Sequence, residues 1–132
     1  MAKSTGATNK RKGSDAERYY ANIFKKLGFD KCLTARYGSR MHDDSGIDLI
    51  NLPFNVQIKA GKQKGLNPIS VLSDVSQRII DIFPKQAPEQ HYPTILIHRR
   101  EVGRGKKRNK FDDMVYMSFE DFEKIINLIK WD

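Results

Sequence analysis

The chain has 132 residues, 39% of them hydrophobic, with a formal net charge of +8 and a sequence pI near 9.6. That length and apolar content suit one domain with a modest core, and the charge favours a polyanionic partner, nucleic acid ahead of a membrane surface. No apolar run approaches the ~18 residues of a membrane span, no lipidation motif or basic amphipathic helix is present, and the single Cys32 excludes a disulfide framework or a cysteine-based zinc site within one chain. Met1 to Lys12 is basic but lacks the apolar stretch of a secretory signal, so an intracellular, reducing setting is expected.

In chain order, residues 1–13 are polar and carry Lys3, Lys10, Arg11 and Lys12, which predicts a flexible basic arm ahead of a single domain over 14–132. Ser14-Asp15-Ala16-Glu17 has capping-box spacing and opens an amphipathic helix. Its stripe is Ala16, Tyr20, Ile23, Phe24 and Leu27, and Gly28 ends it. A strand is expected over 29–37, a polar loop over 38–45, and strands over 47–51 and 55–60 around a turn at Leu52-Pro53-Phe54. After the basic loop 61–67, apolar residues over 69–83 recur at helical spacing. Following a loop with three prolines, Thr94-Ile95-Leu96-Ile97-His98 predicts a central strand buried on both faces. A charged, Gly-bearing loop over 99–110 and a strand over 114–117 follow. Ser118 then caps a closing helix whose Phe119, Phe122, Ile125, Ile126 and Ile129 are expected to be mostly core. The order α-β-β-β-α-β-β-α is that of an α/β protein with a mixed central sheet flanked by helices.

Two short runs carry the chemistry. Asp48 closes Gly46-Ile47-Asp48, and Gln57-Ile58-Lys59 places two polar side chains on one strand face with Ile58 on the other. If these runs pair, Asp48 comes alongside Gln57 and Lys59. Asp48, the Gln57 amide oxygen, the Ile58 carbonyl and Glu17 from the first helix could then hold Mg²⁺, or Mn²⁺, beside a lysine, a set suited to phosphodiester hydrolysis. Each residue also has a plainer reading: Glu17 as the capping partner of Ser14, Asp48 as a strand-edge acid, Gln57 and Lys59 as a solvated strand face. No small-molecule cofactor is expected.

Arg99, Arg100, Arg104, Lys106, Lys107, Arg108 and Lys110 face a single acid, Glu101, over twelve residues. Such a run repels itself, which favours phosphate contact over a merely soluble loop. Lys62 and Lys64 extend the basic surface directly after Lys59, and Lys10, Arg11 and Lys12 precede the first helix. Tyr19 could stack on unpaired bases, though packing suits it as well.

Taken together, Lys12-Gly13-Ser14-x-x-Glu17-Arg18, Leu27-Gly28-Phe29, Arg36, Gly38-Ser39, Asp48-Leu49-Ile50 and Gln57-Ile58-Lys59 resemble the archaeal-type Holliday junction resolvases of the PD-(D/E)XK nuclease superfamily, over roughly residues 10–62. The resemblance implies that superfamily's mixed sheet and a homodimer that cuts four-way DNA junctions symmetrically with Mg²⁺ or Mn²⁺. It places Glu17 and Asp48 at the metal, Lys59 as the catalytic lysine and Ser39 near the scissile phosphate. Arg36 falls on a basic position of the preceding strand, and Arg40 joins it on the DNA-binding side. Gln57 stands where the family usually has Glu, removing one negative charge. Asp43 and Asp44 nearby could restore it, and His42 is a lesser candidate as proton carrier. The alternatives are another PD-(D/E)XK DNA endonuclease, of restriction or repair type, and a catalytically lapsed DNA-binding protein on the same fold.

Overall fold

The computed structural model describes residues 6–62 and 65–129, with side chains from Arg11 onward. Lys64 and Trp131 lie outside the described residues, as does the start of the expected basic arm and the Lys10 side chain.

Helix α1 spans Gly6–Lys26 and so begins ahead of Ser14. Residues 6–13 contain no proline and four good helix formers in Ala7, Lys10, Arg11 and Lys12, so the helix can extend upstream. From Gly6 onward the expected flexible arm is therefore helix. Glu17 sits inside it, which removes the capping-box reading. Strand β1 is short, Leu33–Thr34, because the chain turns at Ala35 into α2 (Ala35–Gly38) and then α3 (Arg40–Ser45). The expected strand 29–37 and loop 38–45 are thus mostly turn and short helix. Ser39 caps α3 by accepting from the His42 N–H, and only Ser45 of α3 is buried, so no apolar periodicity marks it in the sequence.

β2 (Leu49–Ile50) and β3 (Asn55–Gly61) follow, then α4 (Pro68–Ile82), β4 (Thr94–Arg100), β5 (Asp113–Tyr116) and α5 (Phe119–Leu128). The fold is α/β. Its five-stranded sheet has the order β1-β2-β3-β4-β5, parallel between β3 and β4 and antiparallel elsewhere. A parallel pair needs a crossover, and α4 supplies it. Asn67 caps α4 by accepting from the Ser70 N–H, with Pro68 at the first helical position.

Strand alternation divides the core. Val56 and Ile58 of β3 meet Ile95 and Ile97 of β4 and Ala16, Tyr20 and Ala21 of α1. On the other face, Val75 and Ile79 of α4 pack with Ile47 and Phe83. Val56 and Leu96 lose all exposure, and β4 is buried over Thr94–Ile97 as its sequence predicts. The closing helix departs from expectation: α5 buries none of its residues, and Phe119 is 72% exposed. Among the described residues no helix is long and apolar enough to cross a membrane.

Candidate functional site

Asp48 is positioned by the chain around it. Gly46 adopts φ 88°, the left-handed conformation that ends α3 and suits glycine. The chain then enters the sheet, with the Asp48 N–H donating to Val56 O at 2.7 Å and the Ala35 N–H donating to Asp48 O at 2.8 Å. Because the chain comes straight out of α3, β2 begins at Leu49 and does not reach Ile58. The Asp48 carboxylate takes the vacant rung, accepting from the Ile58 N–H at 2.7 Å. Gln57 and Lys59 project from β3 toward α4, as alternation requires. Asp48, Gln57 and Lys59 line one cleft of about 380 Å³ with Gly46 and, from α4, Ser70, Val71, Asp74, Val75 and Arg78.

Burial pushes the Asp48 carboxyl up from its usual range to about 7, and the charge of Glu17 adds to the rise. The Ile58 N–H, Lys59 and Arg36 act in the opposite direction. Glu17 is buried, at 5% exposure, and both of its oxygens are held by Arg36, at 2.9 Å to Nε and 3.2 Å to Nη2. Glu17 acts on Asp48 through its charge, while each of its oxygens accepts one hydrogen bond from the guanidinium. Arg36, expected on a strand, instead lies in α2, where it is the counter-ion of Glu17.

The donors around Asp48 are all oxygens: the Asp48 carboxylate, the Gln57 amide and the Ile58 carbonyl, which now accepts from Gln57 Nε2 at 3.4 Å. Hard oxygen donors of this kind fit Mg²⁺ or Mn²⁺. Among the described residues no group of three or more His, Cys, Asp or Glu draws together as a cation site, so the amide oxygen matters to any such set.

Ser39 is not part of this cleft. Its hydroxyl lies 2.6 Å from His42 Nδ1, and His42 Nε2 lies 3.2 Å from Glu89 Oε1, in a separate cleft with Asn55 and Tyr92. Capping of α3 places Ser39 in that second cleft, outside the lining shared by Asp48, Gln57 and Lys59. Asp43 and Asp44 do not line the Asp48 cleft either, and Asp44 pairs with Arg40 at 3.6 Å on an exposed surface.

The basic residues divide into paired and exposed groups. Arg108 is bound inward, to Asp113 at 3.2 Å and to the carbonyls of Arg100 and Asp112. Lys12 pairs with Glu101 at 3.4 Å. Arg99 belongs to β4, donates to Asp113 at 2.8 Å and stacks 3.9 Å from the centre of the Tyr19 ring. Tyr20 also donates to Asp113, and its hydroxyl pKa is raised, chiefly by burial. With Arg100, Ala60 and Gly61, Lys12, Tyr19, Arg99 and Arg108 line a cleft of about 490 Å³ directly after Lys59 on the chain. Arg11, Lys62, Arg104, Lys106 and Lys107 are exposed.

Two features of the Asp48 cleft are not apparent from the sequence. Asp74 and Arg78 lie one turn apart on α4, and their i, i+4 spacing puts them on one face. Only the packing of Val75 and Ile79 on Ile47 shows that this face overlooks Gln57. Compared with protein-family models, with curated proteins and with solved structures, the chain matches none.

Proposed function

We propose that this protein is a metal-dependent endodeoxyribonuclease that cuts four-way DNA junctions by paired symmetric nicks. One observation carries the proposal: a carboxylate from one segment and an amide and a lysine from β3 line a single cleft at the sheet. The resemblance of these residues to the junction resolvases supplies the substrate, and a mixed sheet with a parallel β3–β4 pair is compatible with a PD-(D/E)XK fold.

Asp48, the Gln57 amide oxygen and the Ile58 carbonyl would hold Mg²⁺ or Mn²⁺. When bound, such an ion polarises a phosphoryl oxygen and lowers the pKa of a coordinated water. In hydrolysis, water adds to phosphorus, one P–O ester bond breaks, and the leaving oxygen takes a proton. The Lys59 ammonium, lining the cleft, stabilises the negative charge that builds on the phosphoryl oxygens. Asp48 must shed its proton to serve as a ligand, and Lys59 and Arg36 favour the ionised form. Cation binding is therefore expected to compete with the Asp48 proton, so that metal affinity rises with pH and a bound cation holds the carboxylate ionised. The exposed cations Lys62, Arg104, Lys106 and Lys107 contact the phosphates of branched or duplex DNA. Two cuts on a twofold-symmetric junction call for a homodimer with one site in each copy.

Asp48→Asn tests the reading. Metal-dependent cleavage is expected to vanish while junction binding in EDTA stays nearly intact, and equal loss of both would argue against a catalytic Asp48. Gln57 favours a second reading, a DNA-binding protein that has lost cleavage. Gln57→Glu separates the two: activity arising from none would mean that the natural chain only binds.

A further inference from the structure

Gln57 leaves the proposed cation site one carboxylate short, and the acids nearest in sequence do not make up the deficit. Asp43 and Asp44 do not line the cleft, and Glu17, already charge-paired with Arg36, does not line it either. Facing Gln57 across the cleft is α4, whose Ser70, Asp74 and Arg78 recur every four residues along one face. Asp74 and Asp48 are the carboxylates in the lining of this cleft. We propose, resting on the nuclease reading above, that Asp74 is the second carboxylate ligand of the divalent cation, supplying from α4 the charge that strand position 57 lacks.

Three features of the structure support this assignment. The α4 backbone that carries Asp74 is anchored through its neighbour: Val75 is buried at 3% exposure in the cluster with Ile47, Ile79 and Phe83. Two carboxylates and an amide oxygen give a hard, twice-negative donor set, which suits Mg²⁺ better than Asp48 and Gln57 alone. Asp74 is also available to exchange partners. It holds Arg78 at 3.1 Å, with the two side chains 60% and 52% exposed, and ion pairs in such surroundings are weak. Transfer of Asp74 to a cation frees the Arg78 guanidinium at the cleft wall, where it can pair with a phosphate.

The experiment is Mn²⁺ titration of the full chain without DNA, followed by electron paramagnetic resonance, with junction cleavage measured in parallel. Asp74→Asn is expected to weaken Mn²⁺ binding at least tenfold. Asp81→Asn removes the same charge from α4 at a side chain that bonds Gln77 at 3.0 Å and does not line the cleft, and it should bind as wild type does. Adding Gln57→Glu to Asp74→Asn should restore most of the lost affinity. Asp74→Asn binding Mn²⁺ as tightly as Asp81→Asn would overturn the assignment while leaving a cutting, Mn²⁺-binding wild type as a nuclease. A wild type that neither binds Mn²⁺ nor cuts junctions would overturn the nuclease reading and Asp74 with it. Because Asp74 is mostly exposed, its replacement should not unfold the chain, and a circular dichroism spectrum checks this.

Discussion

The Asp48 carboxylate accepts a hydrogen bond from the Ile58 N–H at 2.7 Å, in the place that a longer β2 would have filled with a backbone carbonyl. A strand rung is thereby exchanged for a buried acid. The exchange leaves Asp48 with its carboxyl pushed up to about 7, mainly by burial.

That relationship has a cost that can be measured. The unfolded chain releases the Asp48 proton near 3.8 and the folded chain near 7. The folded state therefore holds the proton more tightly, and the stability tied to Asp48 is complete below about pH 4 and lost as pH rises to about 7. At about 1.4 kcal/mol per pH unit the loss is bounded near 4 kcal/mol. Asn at 48 keeps an oxygen for the Ile58 N–H without the charge. Asp48→Asn should stabilise the cation-free protein by about 1–3 kcal/mol at pH 8 and by little at pH 4, as read by urea denaturation at the two pH values.

Removing the partner of Glu17 should act in the other direction. The Glu17 side chain is 6% exposed and that of Arg36 is 38% exposed. Arg36→Ala leaves a buried carboxylate uncompensated, which should destabilise the protein by about 2–3 kcal/mol, less than for a fully buried pair because Arg36 reaches solvent. Adding Glu17→Gln to Arg36→Ala should recover much of that loss in the same denaturation measurement.

Gly46 joins backbone and site. A Cβ there would lie 2.8 Å from Gln57 Oε1, and the residue's φ of 88° disfavours any L side chain. Gly46→Ala should cost about 1–2 kcal/mol of stability. It should also displace the Gln57 amide, so Mn²⁺ affinity is expected to fall along with the denaturation midpoint.

The exposed cations of the loop after β4 should report on phosphate contact. Each of Arg104→Ala, Lys106→Ala and Lys107→Ala should lower the slope of log affinity against log salt by about one. Arg108→Ala should instead lower stability, because its guanidinium holds Asp113 and two carbonyls. Binding isotherms at several salt concentrations, compared with melting curves, separate these two roles.

What the sequence reveals of this arrangement follows period and alternation. Val56 and Ile58 against Gln57 and Lys59 assign β3 its two faces, and the apolar run from Thr94 reveals β4 as central. The i, i+4 stripe of Ala16 and Tyr20 identifies the buried side of α1. Asp48 is recognisable as the acid closing an apolar run beside that strand. Local chemistry and tertiary packing decide the rest. Capping by Ser39 turns a polar stretch into α3 and places the hydroxyl in a different cleft from that of Asp48. The start of α1 depends on residues without apolar period. That Asp74 and Arg78 overlook the cleft depends on how Val75 and Ile79 seat α4 on Ile47, which no local pattern specifies. The apolar stripe of α5 resembles a core stripe in sequence, yet among the described residues none packs over Phe119 and Phe122 closely enough to bury them.

The most direct test of the central claim is cleavage of a labelled four-way junction by the wild-type chain in Mg²⁺, Mn²⁺ or EDTA, beside linear duplex and single strand of the same sequence and a Lys59→Ala control. Paired symmetric nicks in the junction that need the metal and disappear in Lys59→Ala are the expected result. Tight junction binding in EDTA with no cutting in either metal would contradict it and leave a protein that recognises DNA without cleaving it.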